Sequence, residues 1–485
     1  MKTLNVLKKI GILSILIITV SSCEHYLEKV PLPSSELVTE SAFQSKAVID
    51  KVAYRMYSAF TNVTHQTIEP RLSALADDGY NPTTIPSYGR NFQECSLTEE
   101  DQYHGSWENI YRAIYLANYL IEELPNHTAE DLSDDERDKY LGAAYTIRAY
   151  CHYTLVRFLG AAPLVLTTDV TESEKIGRTP VSEIYTQIES DLTKAIDLLP
   201  TTKGDNYFIN CRYIPQSILA DVYLTQKKYD EAETAATAVI SSGNYSLTAD
   251  VSDVFLQNSS ETVMATGYVI DFTNGRGPEK VADPGGNMLL PIGGFFGAFF
   301  EANIIAVSEN LMSAFETGDE RKDNWIELRN SAGYPDSTKR YFVAKYKHSQ
   351  YALLFGATVP SGEEEDQKFI RLAELYLIRA EARAQQNNLA TAASDLNMIR
   401  NRAGLGNITY TGQDDLISAI IKERRVEFFF EKAIRWFDLV RTGTADDVLS
   451  VISYKATNWK SHMVLGPIEP EVLEKNPNLD QNPGW

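Results

Sequence analysis

Apolar residues recur every three to four positions along most of this 485-residue chain, which is the spacing of a helix that is buried on one side. The spacing predicts nine helices, over residues 40–60, 105–124, 134–159, 180–199, 215–226, 230–241, 369–386, 389–402 and 415–441. Two of the predicted helices begin with capping signals. Ser133 precedes three acidic residues, and Thr179 precedes Pro180. The chain is therefore expected to be mainly α-helical.

The last predicted helix combines a buried stripe with a ladder of charges. Its apolar positions follow steps of three and four: Val426, Phe429, Ala433, Trp436 and Val440. Glu431 and Arg435 are four residues apart, and Asp438 lies three residues from both Arg435 and Arg441, so these charges are expected to pair along one helix and fix its register. Alternatively Glu427, Glu431 or Asp438 is a catalytic carboxylate, which requires two of them to face a cleft at about 5 to 9.5 Å.

Two helix pairs are similar at a constant offset of 160 residues. Five positions of the first pair, Ala220, Asp221, Gln226, Tyr229 and Ala232, align with Ala380, Glu381, Gln386, Leu389 and Ala392 of the second. The small residues allow two helices to approach closely, as in a tetratricopeptide hairpin, and each such pair must stack on a neighbour to bury its apolar face. Alanine-rich pairs also arise by chance, so this pattern alone does not decide the fold.

Three long segments interrupt the helices, over residues 77–103, 267–300 and 330–366. Their glycine, proline and polar content predicts irregular structure with short strands, and their many aromatic residues argue against disorder. Loops of this length in a compact protein usually carry function.

The first 22 residues have the pattern of a signal peptide. Three early lysines are followed by an apolar run over residues 10–20, which would rise only about 16 Å as a helix, about half of a bilayer core. Small residues then precede Cys23, as in a bacterial lipobox, where the cysteine is lipidated and begins the mature chain. The alternative is an ordinary signal peptide that is cut near Ser22 and leaves Cys23 unmodified.

Charge and cysteine content exclude several classes of protein. The formal net charge is −21, and no basic face is evident, so nucleic-acid binding is not expected. Beyond Cys23 there are three cysteines, Cys95, Cys151 and Cys211, which allow at most one disulfide and provide no zinc-binding spacing. Cys151 lies in a helix among aromatic residues, where a buried thiol acts as a small hydrophobe.

Motifs for catalysis or cofactor binding are missing from the sequence. The seven histidines have no metal-ligand spacing, and there is neither a Gly-x-Ser-x-Gly elbow nor a Walker loop. We therefore predict no catalytic residues, no metal and no cofactor. The acidic run Glu363–Asp366 is interpreted as a solvated loop, with calcium binding as the alternative.

Several blocks, in order along nearly the whole chain, resemble the SusD/RagB family of nutrient-capturing outer-membrane lipoproteins. The blocks are 26–28 (YLE) after Cys23, 147–160 (IRAYCHYTLVRFLG), 370–377 (IRLAELYL), 395–405 (DLNMIRNRAGL), 423–428 (ERRVEF), 435–441 (RWFDLVR), 476–479 (NPNL) and 481–485 (QNPGW). The chain departs from the family at Lys432–Ile434, where a glycine and one residue fewer are usual. The departure makes the local helix geometry there uncertain.

The resemblance implies a SusD-like fold, in which tetratricopeptide-like helical hairpins form a scaffold and long irregular loops form a ligand face. It also implies a lipid-anchored protein, exposed on the outer membrane, that binds an oligosaccharide and delivers it to a SusC-like TonB-dependent transporter. The hairpins are expected to face that transporter. Oligopeptide capture, as in the RagB branch, is one alternative, and a surface glycoside hydrolase is another.

The predicted domain organisation follows the same blocks. Residues 1–22 form the leader, and residues 23–245 form an N-terminal helical region with hairpins. Residues 246–485 form a C-terminal region, divided into a loop-rich part (246–366), a helical part (367–445) and a tail (446–485).

Sugar binding requires exposed aromatic rings for stacking, with planar polar groups beside them. The long loops supply this combination at Tyr80, Tyr88, Arg90, Asn91, Phe272, Asn274, Trp325 and Tyr334, which are the predicted ligand-binding residues. For each aromatic residue the alternative is that it buries its loop against the scaffold. Trp107 and Trp436 fall in helical patterns and are assigned to the core.

Overall fold

The chain folds mainly into helices in this computed structural model. The structure describes residues 43, 45–64, 68–81, 89–101, 107–126, 129–206, 208–266, 268–271, 287–290, 305–330, 339–346, 362–363 and 365–485. Their α-helices are α1 (Lys46–Thr64), α2 (Ile68–Leu75), α3 (Arg90–Glu94), α4 (Trp107–Glu123), α5 (Asp134–Leu159), α6 (Val170–Ser173), α7 (Val181–Leu198), α8 (Tyr213–Thr225), α9 (Tyr229–Ile240), α10 (Glu309–Met312), α11 (Glu320–Trp325), α12 (Leu372–Gln385), α13 (Leu389–Arg402), α14 (Gln413–Phe428), α15 (Ile434–Thr442), α16 (Ala445–Leu449) and α17 (Pro470–Lys475).

Short strands connect the helical parts. The strands are β1 (Gly79–Tyr80), β2 (Thr262–Thr266), β3 (Tyr268–Asp271), β4 (Asn287–Leu290), β5 (Ala306–Val307), β6 (Ile326–Asn330), β7 (Lys339–Val343) and β8 (Gln367–Arg371). They form four antiparallel pairs, β1 with β5, β2 with β8, β3 with β4 and β6 with β7. None of the described helices is long and apolar enough to cross a membrane.

The longer helices form one continuous array. Helix α1 packs on α4, α4 on α5 and α5 on α7, and the array continues through α8, α9, α12, α13 and α14. Buried ion pairs join neighbours: Arg148 of α5 donates to both carboxylate oxygens of Asp191 in α7, at 2.6 and 2.8 Å. Arg379 of α12 binds Asp395 of α13 in the same two-pronged way, at 2.7 and 2.8 Å.

The structure confirms the two tetratricopeptide-like hairpins, α8–α9 and α12–α13. Their turns are equivalent, because Lys227 and Asn387 both adopt left-handed backbone conformations, with φ of 61° and 63°. Every backbone hydrogen bond that closes the first turn has its counterpart 160 residues later. Ala220 and Ala380 are fully buried in the first helix of each pair, and α9 packs directly on α12. The two repeats, distant in sequence, are therefore neighbours in the fold.

Most predicted helices are confirmed within a few residues, and two predictions need correction. The segment predicted as a helix over 369–386 begins as strand β8, since residues 367–371 pair with β2. The segment predicted as one helix over 415–441 is broken into α14 and α15. Three residues in the break, Phe430, Lys432 and Ala433, have positive φ of 55°, 48° and 52°, which a helix cannot continue through.

The break redirects the side chains that the sequence had placed on one helix face. Glu431 binds Arg371 and Lys345 instead of Arg435, and Arg435 binds Asp77. The pair between Asp438 and Arg441 is formed as predicted, at 2.7 Å. The apolar stripe also divides, because Val426 and Phe429 belong to one buried cluster and Ala433 and Trp436 to another. The family's usual glycine falls in this break.

Predictions about buried residues have mixed outcomes. Cys95, Cys151 and Cys211 are free and buried, which confirms Cys151 as a small core residue. Trp436 is 1% exposed and Trp107 packs half-buried against the same core. The acidic run is not wholly solvated, because Glu365 and Asp366 are buried and Asp366 accepts a hydrogen bond from Lys368.

Candidate ligand-binding site

Residues 76–101 follow helix α2 and carry four of the predicted ligand-binding residues, three of them in the described parts of this stretch. We call this stretch the 76–101 segment; its described parts are 76–81 and 89–101. Strand β1 pairs with β5 and places Gly79 so close to Ile305 that a Cβ would lie 2.6 Å from Ile305 Cγ2. The backbone of the segment is thus held against a distant part of the chain.

Strand β1, which carries Tyr80, lies beside helix α3, which carries Arg90 and Asn91. The backbone N–H of Asn81 donates to Gln93 Oε1 at 2.5 Å, which brings the short helix α3 beside β1. All three side chains are half-buried. Arg90 Nε donates to Glu94 at 2.7 Å, and the Asn91 amide donates to Asp101. The arrangement combines an aromatic ring with planar polar groups, as sugar binding requires.

A buried acidic pair anchors the segment to the C-terminal third of the chain. Asp77 accepts from Arg425 at 2.9 Å and from Arg435 at 2.8 Å, and Asp78 accepts from Arg425 at 2.7 Å. Burial raises the pKa of Asp77, but the two guanidinium groups more than offset burial and hold this pKa below its usual value. Burial dominates at Asp78 and raises its pKa. Asp77 is therefore the firmly ionised member of the pair.

Trp325 was predicted to contact ligand, and the structure corrects this. It is 2% exposed, its indole nitrogen donates to the Val251 carbonyl at 2.9 Å, and the Phe255 ring packs edge-on against it. A ring enclosed in this way cannot stack on a sugar. The other predicted positions, Tyr88, Phe272, Asn274, Tyr334 and the lipidation site Cys23, lie outside the described residues.

The carboxylates considered for catalysis are buried counter-ions. Glu427 accepts hydrogen bonds from Arg321, Arg371 and Arg402. Burial raises the pKa of Glu427, yet the three arginines outweigh burial and hold it well below its usual value. The pKa values of Glu431 and Asp438 are lowered for the same reason, by Arg371 with Lys345 and by Arg424 with Arg441. A carboxylate that stays ionised in this way cannot serve as a general acid.

A small polar cavity lies between helices α5, α8, α12, α14 and α15. Its lining residues are Tyr150, Arg157, Asp221, Thr225, Glu374, Arg424, Lys432, Ile434, Phe437, Asp438 and Arg441. Its volume of about 20 Å³ holds a water molecule but not a sugar ring. No group of side chains in the described residues has the composition of a metal site.

Sequence reasoning missed the residues that hold the candidate site. Arg425, Arg435 and Lys455 bind Asp78, Asp77 and the Gln93 carbonyl of the 76–101 segment from more than 340 positions away in the chain. Arg435 was expected to pair with its own helix neighbours. Adjacent Asp77 and Asp78 in an apolar context were the available signal, because buried carboxylates need cationic partners.

Comparison with known proteins gives the family. A family model described as starch-binding and associating with the outer membrane matches residues 25–224, and a model described as the SusD family matches residues 300–485. SusD-like protein P38 from Formosa agariphila is 26% identical over 452 residues, which cover 83% of each chain. The chain belongs to the SusD family.

Solved structures agree in fold. A laminarin binding SusD-like protein has a TM-score of 0.71 at 21% identity, covering 91% of this chain and 100% of that one. Surface glycan-binding protein A from Bacteroides fluxus has a TM-score of 0.68 at 22% identity, covering 90% and 98%. These likenesses establish the SusD-like architecture of helical hairpins.

Proposed function

We propose that this protein is a cell-surface lipoprotein that captures an oligosaccharide and delivers it to a SusC-like TonB-dependent transporter in the outer membrane. The observation that carries the proposal is membership of a family whose models match both halves of the chain, one of them described as starch-binding. Two structural neighbours, a laminarin binding SusD-like protein and a surface glycan-binding protein, support it.

The 76–101 segment supplies the first part of the proposed ligand face. Tyr80 offers a half-buried ring on β1, and the half-buried Arg90 and Asn91 lie on the adjacent helix α3. One aromatic stack contributes about 0.5 to 1.5 kcal/mol beyond area burial, so two or three stacks with a few hydrogen bonds give affinities from millimolar to micromolar. We propose that Tyr88, Phe272, Asn274 and Tyr334 complete this face. Affinities in that range suit a protein that must release its cargo.

Affinity electrophoresis in gels that contain soluble polysaccharides, with laminarin and starch among them, tests the proposal. We expect at least one polysaccharide to retard the protein, and Tyr80→Ala to weaken binding by about tenfold, or about 1.4 kcal/mol. Tyr223→Ala is the matched control, since Tyr223 is half-buried like Tyr80 but lies on helix α8 of the hairpins. If calorimetry shows that the protein binds peptides and no glycan, oligopeptide capture replaces this proposal. If the protein forms products from oligosaccharides, it is a hydrolase.

The membrane anchor is tested separately. We propose that the leader of residues 1–22 is removed and that Cys23 is acylated. Each buried CH₂ contributes about 0.8 kcal/mol, so two or more acyl chains hold a protein on a membrane where one is marginal. Cys23→Ala protein should leave the membrane fraction. Full retention of that variant with the outer membrane would exclude the anchor.

The transporter partner is proposed to bind the hairpin face. Helices α8, α9, α12 and α13 provide an extended rigid surface of the kind that repeat proteins use for binding. The protein should co-purify with a β-barrel transporter after gentle extraction of native membranes. Recovery of a lone monomer would count against this partner.

A further inference from the structure

Lys455 makes an unusual set of contacts beneath the candidate site. It is fully buried in the turns that follow α16, and its ammonium donates to three backbone carbonyls, those of Ala74, Leu75 and Gln93, at 2.5, 3.0 and 2.8 Å. A lysine ammonium has three donors and no acceptor, so its capacity is fully used by the backbone.

The three carbonyls lie on two helices, α2 and α3. Ala74 and Leu75 end α2, and Gln93 lies in the last turn of α3. Carbonyls at a helix C-terminus lack partners within the helix and carry partial negative charge, so one ammonium satisfies both helix ends. Asn458, three residues along, donates to the neighbouring carbonyl of Glu94 at 3.0 Å.

We propose that Lys455 is a positioning residue that ties α2 to α3 and thereby holds Tyr80, Arg90 and Asn91 in their ligand-binding arrangement. The ligand-binding part of this inference rests on the proposed function. Without the ammonium, three buried carbonyls lose their donor, and α3 is held only by the weaker contacts of Asn81 with Gln93 and Asn458 with Glu94, so it should open more often. The acidic anchor of Asp77 and Asp78 lies on the α2 side, so it does not replace the tie to α3.

The reactivity of one cysteine, Cys95, can report a separation of α3 from α2. Cys95 directly follows α3 and is a fully buried free thiol. Burial raises the pKa of Cys95, and the nearby Lys455 ammonium offsets part of this rise. Cys151 in α5 and Cys211 before α8 are free thiols buried elsewhere. A buried thiol reacts only when its surroundings open, so local opening exposes Cys95 alone and global unfolding exposes all three.

The experiment measures thiol labelling of the full chain by a disulfide reagent, resolved for each cysteine by peptide mass spectrometry. Lys455→Met should label at Cys95 about tenfold faster or more, with Cys151 and Cys211 unchanged. Loss of Lys455 also raises the Cys95 pKa, which slows labelling, so a faster reaction reports opening and not reactivity. Lys368→Met is the control for loss of a buried lysine elsewhere, because Lys368 is also buried and donates to the Leu256 carbonyl and to Asp366.

Two outcomes would overturn the tie: unchanged labelling of Cys95 in Lys455→Met, or equal acceleration of all three thiols in a variant that still folds. If Lys455→Met does not fold, Asn458→Ala removes one hydrogen bond of the same tie and should accelerate labelling of Cys95 alone. No acceleration in that variant rejects the proposal.

Retardation by laminarin or starch should fall in Lys455→Met and persist in Lys368→Met. Retention of glycan binding in both variants rejects the positioning role. The thiol assay needs no glycan, so failure of the proposed function shows separately.

Discussion

The two repeat hairpins and the ionic cluster around Glu427 are stabilised in opposite ways. Each hairpin is closed by neighbours in sequence, with buried alanines at the helix contact and a short turn whose pattern repeats after 160 residues. The ionic cluster joins side chains from separate parts of the chain: Glu261, Arg321, Arg371, Arg402, Glu427 and Glu431.

The difference lies in what each kind of burial requires. A small apolar residue needs only a neighbouring helix, which the local periodicity already provides. A buried charge needs an opposite charge of suitable geometry, and that partner often comes from a distant segment. The hairpins should therefore respond to changes of volume, and the ionic cluster to changes of charge.

The largest expected effect is at Glu427, which accepts from three buried arginines. Breaking a buried ion pair leaves uncompensated charge, so Glu427→Gln should lower the free energy of unfolding by about 3 to 5 kcal/mol in urea titrations. The control is Glu233→Gln in α9, where a partly exposed carboxylate binds Arg383, and the loss should stay below about 1 kcal/mol. Equal losses in both variants would contradict the distinction.

Overpacking tests the hairpins next. Ala220→Leu and Ala380→Leu place a larger side chain at equivalent, fully buried helix contacts, so each should cost about 1 to 3 kcal/mol and the two costs should be similar. Ala390→Leu, at an exposed position of α13, should be nearly neutral. Tolerance of leucine at Ala220 or Ala380 in thermal unfolding would show that the helices do not approach as closely as described.

Acid should destabilise the helical array through His152 in α5. Burial lowers the pKa of His152 to about 3, while the unfolded chain takes up the proton near pH 6.5. Stability from this residue is therefore complete above about pH 6.5 and falls by about 1.4 kcal/mol per pH unit as the pH drops toward 3. The difference in unfolding free energy between wild type and His152→Gln should shrink with falling pH, and a constant difference would reject the assignment.

The smallest expected effect is in the hairpin turns. Lys227 and Asn387 have the same left-handed conformation, which is strained for lysine and tolerated by asparagine. Lys227→Gly should raise the free energy of unfolding by about 0.5 kcal/mol, and Asn387→Gly should change it less. Equal changes in both variants, or a loss of stability in Lys227→Gly, would contradict the strain assigned to Lys227.

The helices and hairpins could be predicted from the sequence because their signals are local. Periodicity located α5, α7 and α13 within a residue or two, and small residues at a fixed offset identified the repeats. The break after Phe428 was not predicted, since Val426 to Val440 keep a helical apolar spacing across it. Its cause is non-local: Glu431 turns to Arg371 and Lys345.

The part of the candidate site that is local in sequence is also compact in the structure, because β1 with Tyr80 lies beside α3 with Arg90 and Asn91. The role of these three residues in ligand binding stays a prediction. Trp325 was misassigned because an aromatic residue beside a loop has the same local pattern whether it is buried or exposed. Lys455 carried no local signal at all, because its partners are backbone carbonyls over 360 residues away.

The central claim is that the 76–101 segment recognises ligand and the hairpins support it. Amide hydrogen exchange tests this claim most directly, when it is measured with and without the polysaccharide that causes the largest retardation. Bound ligand should slow exchange in the 76–101 segment and leave hairpin helices α8, α9, α12 and α13 unchanged. Slowed exchange in those helices, with the 76–101 segment unaffected, would contradict the account.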